Sequence, residues 1–489
     1  MQIRRTKIIA TLGPATDSPE VLKSLLEAGA DVLRINLSHG THETQAARVE
    51  QVRAAARESG KEVAILADLR GPKIRIERFR GGSVELAEGD TFTLDASDEP
   101  APGDQSRVGV TYKGLADDVS PGDLLLLDDG LLTMRVVEIK SKDIICAVEA
   151  GGVLGDRKGI NVQGGGLSLP GIAEHDIKDI PHAAAMGADY LAVSFPRNAQ
   201  DMNEARRCLR GVGSQAKLVA KIERTEAIEN LEEIIAASDA VLIARGDLGV
   251  EIGDAELPGL QKLITSKSLE QNRVVITATQ MMQSMVESPI PTRAEVLDVA
   301  NSVFDGTDAV MLSAETAVGD HPHVVVEAMN RICLGAERHN DTRLDHERLN
   351  VQFERIDQAI AMAAMFLATN VSVQAIVALT ESGSTAQWLS RTRSSVPIFA
   401  LSPLRDSLRR MALYRGVYPV AQDFLSEDVE ETLVVGVRSL LEQEHIKVGD
   451  RIILTMGEYT GNEGGTNSMR LVQVGVDGLL EYTPSLNIH

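Results

Sequence analysis

Short apolar runs recur at residues 7–11, 32–37, 63–67, 190–194, 218–222, 240–243, 274–277 and 309–312, most of them followed by stretches in which apolar residues return every three or four positions. Runs of four to six apolar residues without polar alternation read as strands buried on both faces, and the longer period reads as amphipathic helix. The first helix, over 18–28, carries its own punctuation: Ser18 as N-cap, Pro19 at the first helical position and Ala28-Gly29 as the stop. Eight strand-helix units predict parallel strands closed into a barrel. Residues 1–69 and 166–343 together come close to the ~250 residues usual for that fold.

The rhythm breaks between the third strand and its helix. There, 83–86, 123–127 and 134–139 read as short strands, so residues 70–165 are predicted to form an inserted β domain. Near its exit Gly164-Gly165-Gly166 reads equally well as a hinge or as an ordinary surface loop. After a polar segment at 338–352, a helix over 356–368 and strands at 375–379, 398–401, 451–456 and 471–474 predict a third, α/β domain at residues 344–489. Three domains suit a chain of 489 residues. The predicted fold is α/β, a (β/α)8 barrel with an inserted β-barrel lid domain and a C-terminal α/β domain.

Composition narrows the function. At 43% hydrophobic and 25% charged residues the chain is globular rather than disordered. A net charge of -22 argues against general binding to nucleic acid or to an anionic membrane, so any phosphate site must be local. No apolar stretch approaches the ~20 residues of a membrane-spanning helix, and the polar start, residues 1–7, is no signal peptide. Cys146, Cys208 and Cys333 are odd in number and far apart, which offers neither a disulfide framework nor a thiolate metal site and fits a reducing cytoplasm. The ten histidines include His321-Pro322-His323 but no helical His-x-x-x-His pair, so a histidine metal site is not expected.

Barrel enzymes place their sites at the carboxyl ends of the strands, and six of these runs end in polar residues. The second ends in Arg34, Asn36, Ser38 and His39, the third in Asp68 and Arg70, the fifth in Lys221 and Glu223. The sixth gives Arg245, Gly246 and Asp247, the seventh 277–280, the eighth Ser313 and Glu315. Lys221-Ile222-Glu223 alone could be a structural ion pair. With Asp247 after the next strand, it reads as two carboxylates for a divalent metal beside an ammonium for an anion. Arg34, Lys221, Arg75 and Lys158 can neutralise phosphates, and no strong nucleophile stands among them. That inventory suits phosphoryl transfer, in which positioning and charge compensation do most of the catalysis. Gly246 leaves room for backbone N–H groups to approach an anion. No Gly-x-x-x-x-Gly-Lys-Ser/Thr loop is present, so a nucleotide must be held in another way.

The segments 218–228 (LVAKIERTEAI), 7–14 (KIIATLGP), 34–40, 244–251, 277–281 and 291–295 (PTRAE) closely resemble the pyruvate kinase family, and the resemblance runs over nearly the whole chain. It implies transfer of the phosphoryl group of phosphoenolpyruvate to ADP, giving pyruvate and ATP, the last step of glycolysis. By the same resemblance Arg34 binds substrate phosphate, and Lys221 stabilises the moving phosphoryl group and the enolate oxygen it leaves. Glu223 and Asp247 hold magnesium, with manganese as a substitute. Gly246, Thr279 and Ser313 join Asp247 in contacting phosphoenolpyruvate, Thr279 also lying near the path of the proton that converts enolpyruvate to pyruvate. Asn36, Ser38, His39, Arg75 and Lys158 match nucleotide-binding positions, Lys158 from the inserted domain, which closes as a lid. Homotetramers are the family's usual assembly.

Many family members bind potassium through residues matching Asn36, Ser38, Asp68 and Leu69. This chain reads Asp68-Leu69-Arg70-Gly71-Pro72-Lys73, with Lys73 where those members carry glutamate. A fixed ammonium there supplies the charge potassium otherwise brings, so activity independent of potassium is expected. The C-terminal domain resembles the family's effector-binding domain. Thr380, Ser382, Gly383, Ser384 and Thr385, between a strand and a helix, form a candidate anion nest for an allosteric sugar phosphate or nucleotide monophosphate, or else an N-cap without a ligand. The loop at 457–467 departs from the family patterns and leaves the effector open. A magnesium-dependent lyase or aldolase acting on pyruvate enolate would share the carboxylates but would not need Arg75 and Lys158; a catalytically inactive effector sensor would not need Lys221, Glu223, Asp247 and Thr279.

Overall fold

The structure, a computed structural model, describes residues 3–339, 353–392, 394–423, 429–457 and 464–481. Its centre is a closed barrel of eight parallel strands: β1 (Lys7–Thr11), β2 (Val32–Asn36), β3 (Ala64–Asp68), β4 (Tyr190–Val193), β5 (Lys217–Ile222), β6 (Ala240–Ala244), β7 (Val274–Ala278) and β8 (Ala309–Leu312). Each pairs with its sequence neighbours and β1 closes on β8, in the register Lys7 to Ala309. All eight apolar runs are these strands, to within a residue or two at their ends. The helix after β1, Pro19–Ala28, is capped as its sequence predicts, Ser18 Oγ accepting from the Val21 N–H and Gly29 closing it with φ of 119°.

The strands alternate in phase. Ile8, Ala10, Leu33, Ile35, Ile65, Leu191, Ala220 and Ile243 pack outward against the helices. Ile9, Val32, Ala64, Leu66, Tyr190, Ala192, Val219, Leu242, Ile276 and Met311 face the other way. These inward residues form one continuous apolar cluster with Ile376, Ala378, Ala386, Ile398 and Met411 of the C-terminal domain, which closes the floor of the barrel. Buried polar contacts pin that floor. Arg391 donates to both carboxylate oxygens of Asp308 and, at 2.8 Å, to the Arg273 carbonyl. Tyr190 Oη donates to the Arg410 carbonyl at 2.6 Å. Lys7, one inward step below Ile9, donates through Nζ to the Val417 carbonyl at 2.6 Å and lies 4.7 Å from the centroid of the Tyr418 ring.

The C-terminal sheet runs Val417–Ala421, Ile398–Ser402, Ala375–Leu379, Arg451–Met456, Ser468–Val474, Leu480–Glu481, the first four strands parallel. The first of these was not expected from the sequence: Pro419 interrupts its apolar pattern, which an edge strand tolerates. Of the polar segment at 338–352, residues 340–352 lie outside the described residues, as do 458–463 of the loop at 457–467.

The insertion after β3 is all-β. Six strands, Ile160–Val162, Leu124–Leu127, Leu132–Lys140, Asp143–Ala150, Thr91–Asp95 and Arg107–Gly109, form one sheet, and Ser83–Leu86 pairs with Gly152–Gly155. Phe92, Leu94, Val108, Met134, Ile144 and Cys146 give it a core of its own, as a separate domain requires. Its exit is the glycine triplet, with φ of 86°, 80° and 97° at Gly164, Gly165 and Gly166, a run that side chains larger than hydrogen would strain. Gly164 N donates to the Glu251 carbonyl at 3.2 Å and Gly166 N to Glu226 Oε1 at 2.9 Å.

Candidate active site

The inward phase of the strands ends in charge. Two residues above the apolar lumen layer stand Thr11 on β1, Arg34 on β2, Asp68 on β3, Ser194 just past β4 and Lys221 on β5, with Glu223 one further step up. Each is in step with the apolar residues beneath it, so the pleat that fills the lumen also aims these side chains into its mouth.

They form one network. Arg34 donates through Nε to Asp68 Oδ2 at 2.7 Å, lies 2.6 Å from the same oxygen through its second nitrogen, and reaches Thr11 Oγ1 at 3.2 Å. Lys221 Nζ stands 2.8 Å from Ser194 Oγ, 2.9 Å from Glu223 Oε1 and 3.3 Å from Asp68 Oδ1. Asp68 and Glu223 are each 1% exposed. Burial pushes the Asp68 carboxyl up, but Lys221 and Arg34 outweigh it and hold the group below its ordinary value. Burial likewise opposes the Lys221 ammonium, yet Asp68 and Glu223 raise it above its ordinary range, so Lys221 is cationic throughout the physiological range. Glu223 goes the other way: burial, then the nearby charge of Asp247, push it up to about 7 against the pull of Lys221.

Asp247 lies in the first turn of helix Arg245–Ile252, directly after β6. Its carboxylate takes a cation from the lid, Lys73 Nζ at 2.8 Å, and the same ammonium is 3.9 Å from Asp129. Here the geometry departs from the expected cation group. Asp68 is occupied by Arg34 and Lys221, and Lys73 pairs with Asp247 instead of joining Asn36, Ser38 and Asp68. Asn36 Oδ1 accepts from the Ser38 N–H at 3.0 Å, which shapes the turn after β2, and Leu69 is buried with its carbonyl toward Ser194. No three His, Cys, Asp or Glu side chains cluster closely enough to hold a metal among the described residues. Glu223 and Asp247 are therefore a two-carboxylate set, and other oxygens must complete any metal's shell.

The remaining expected residues frame this centre. Thr279 follows β7 with φ of 67°, its Oγ1 donating to the Ala278 carbonyl at 2.7 Å and accepting from Gly246 N at 2.8 Å. Arg245 braces that left-handed turn, donating to the Thr279 carbonyl at 2.8 Å while pairing with Asp298 at 2.8 Å. Ser313 N donates to Glu315 Oε2 at 2.7 Å, fixing the turn after β8. The His39 carbonyl is held by Gln45 Nε2 at 2.8 Å. In the lid, Arg75 donates to the Arg157 carbonyl at 3.0 Å, and Lys158 pairs with Asp128 at 2.9 Å. In the C-terminal domain, Gly383 takes φ of 85° before helix Ser384–Arg391, Thr380 Oγ1 accepts from Gly383 N, Ser382 Oγ accepts from Ser384 N, and Thr385 and Thr466 hydroxyls meet at 2.6 Å.

Sequence reasoning passed over Thr11, Ser194 and the Phe195 N–H, which donates to Glu223 Oε2 at 2.8 Å. A signal for two of them was there: Thr11 and Ser194 share the inward phase of their strands.

A closed barrel with a lid inserted after its third strand, and cations interleaved with carboxylates at its carboxyl mouth, defines a barrel enzyme for anionic substrates. Residues 3–326 match the family model described as pyruvate kinase, barrel domain, and residues 358–472 the one described as pyruvate kinase, alpha/beta domain. Over 97% of this chain and 99% of the relative, the sequence is 50% identical to pyruvate kinase II of Salmonella typhimurium. It is 48% identical to pyruvate kinase of Haemophilus influenzae, over 93% of this chain and 96% of that one, and 41% identical to pyruvate kinase of Geobacillus stearothermophilus, over 96% and 80%. The chain belongs to the pyruvate kinase family and is a phosphotransferase enzyme.

Proposed function

We propose that the protein catalyses magnesium-dependent transfer of the phosphoryl group of phosphoenolpyruvate to ADP in the cytoplasm, giving pyruvate and ATP. The observation that carries this reading is the buried Arg34-Asp68-Lys221-Glu223 network beside Asp247, where fixed cations meet two carboxylates. Arg34 and Lys221 neutralise the substrate phosphate. Lys221, cationic and tethered on three sides, faces the phosphoryl group in flight and the enolate oxygen it leaves. Gly246, Thr279 and Ser313 orient the substrate. Thr279 lies by the route of the proton to enolpyruvate. Asn36, Ser38 and His39 from the barrel and Arg75 and Lys158 from the lid hold the nucleotide.

Glu223 and Asp247 fit magnesium. Burial first, and the nearby Asp247 charge after it, push Glu223 up to about 7 against the pull of Lys221, a cost that a cation bound between the two carboxylates would relieve, and Asp247 already accepts one cation, the Lys73 ammonium. Bound there, magnesium or manganese would act as a Lewis acid on the phosphoryl oxygens. Lys73 brings a permanent positive charge to the same pocket, so activity in sodium equals that in potassium. The turn at 380–385 takes a phosphate-bearing effector, a sugar phosphate or a nucleotide monophosphate, in a homotetramer. Pyruvate formation from phosphoenolpyruvate and ADP, assayed with magnesium or a chelator, in sodium or potassium, and against an effector panel, tests each part. Activity without divalent metal refutes the metal reading, strong activation by potassium refutes the role of Lys73, and effector responses unchanged in the Ser382→Ala, Ser384→Ala double variant refute the allosteric site.

A further inference from the structure

Of the three partners of the Lys221 ammonium, two are called on elsewhere. Glu223 is needed by the metal, and Asp68 is shared with Arg34. The third, Ser194 Oγ at 2.8 Å, is neutral, and its contact with the other charged group beside it, Asp68 Oδ1, is long at 3.4 Å. Its own proton goes to the Leu69 carbonyl at 2.8 Å, which turns the oxygen lone pairs toward the ammonium. Ser194 is 1% exposed, so bulk water has little access to its side of that contact.

The backbone here is built for the purpose. Phe195 adopts φ of 57°, a left-handed conformation that a bulky residue rarely takes and that surrounding structure must enforce. That turn points the Phe195 N–H at Glu223 Oε2, 2.8 Å away, in the same dipeptide that presents the Ser194 hydroxyl to Lys221. Gly71 makes room for it: a Cβ at that position would come within 2.6 Å of Ser194 Cβ and 2.9 Å of the Phe195 ring. One turn at the end of β4 thus grips both members of the Lys221-Glu223 pair.

We infer that Ser194 is a positioning residue for phosphoryl transfer, holding the Lys221 ammonium in place when the metal and substrate take up its carboxylate partners. This rests on the role proposed above for Lys221. Lys221 also meets the phosphate of the bound substrate, but its interaction strengthens as charge develops, so loss of the hydroxyl falls chiefly on kcat.

Threonine and valine have the same shape and differ at the hydroxyl, so Ser194→Thr and Ser194→Val share any packing strain. With phosphoenolpyruvate, ADP and magnesium, Ser194→Thr is expected to keep a kcat at least tenfold above Ser194→Val. Ser194→Ala should fall with valine, its KM for phosphoenolpyruvate staying within about threefold of the parent and its melting temperature close to the parent's. Equal kcat values for the threonine and valine variants overturn the inference, as does a Ser194→Ala loss expressed in KM alone. Lys221→Ala, run alongside, separates the two levels. If it keeps parental kcat, the reading of Lys221 fails. If it is inactive while threonine and valine are equal, the role of Ser194 alone fails.

Discussion

Lys7 is an ammonium at the bottom of a barrel, 2% exposed, and burial pulls it down from 10.5 to about 8 against the weaker support of Asp31. Because its folded value lies below the unfolded one, the unfolded chain holds a proton that the folded chain gives up between pH 8 and 10.5. Stability therefore rises with pH through that window, and below pH 8 the full cost of burying the charge is present. A separation of 10.5 from 8, at ~1.4 kcal/mol per pH unit, corresponds to about 3 kcal/mol, of which about 2 to 3 is recovered between pH 7 and pH 10. Lys7→Met removes this titration and leaves the Val417 carbonyl without its donor, a penalty of about 1–3 kcal/mol that does not vary with pH. Urea unfolding of parent and variant at pH 7, 8, 9 and 10 reads the difference directly. The parent should gain about 2 to 3 kcal/mol on the variant across the series. A difference that stays flat within about 0.5 kcal/mol would show that Lys7 is not buried as a charge and would refute the reasoning.

Three other outcomes follow from the same geometry. Lys221→Ala should lower kcat by a factor of about a thousand or more, since a preorganised cation at developing charge is worth several kcal/mol, with folding checked by circular dichroism. Arg391→Met strands the buried Asp308 carboxylate and should cost about 3–5 kcal/mol in urea unfolding, while the double variant Arg391→Met, Asp308→Leu recovers much of it. Gly71→Ala, at φ of 67° and against Ser194 and Phe195, should lower both stability, by about 1–3 kcal/mol, and kcat, read by thermal melting and steady-state assay.

The barrel was legible because its strands are buried on both faces and stand out as unbroken apolar runs. Lys221, Glu223 and Asp247 were legible for the converse reason, as charges placed where such runs end. Ser194 carries no charge and closes its run quietly, so only the inward phase it shares with Tyr190 and Ala192 marks it. The partner of Lys73 was hidden for another reason: Lys73 and Asp247 come together because the lid folds back over β6, and no local pattern encodes that approach. The union of the lumen residues with the C-terminal core was equally hidden, since inward and outward residues of a fully buried strand read alike.

That union has a mechanical consequence. On β5, Val219 packs into the cluster shared with the C-terminal domain, and Lys221 stands at the next inward position. Two residues of strand span roughly 7 Å, with no loop or hinge between them. The strand is a short strut: its lower end is seated in one domain and its upper end carries the ammonium of another. Whatever displaces the floor layer therefore acts on a strand whose next inward side chain is the Lys221 ammonium, 2.9 Å from Glu223 and 2.8 Å from Ser194.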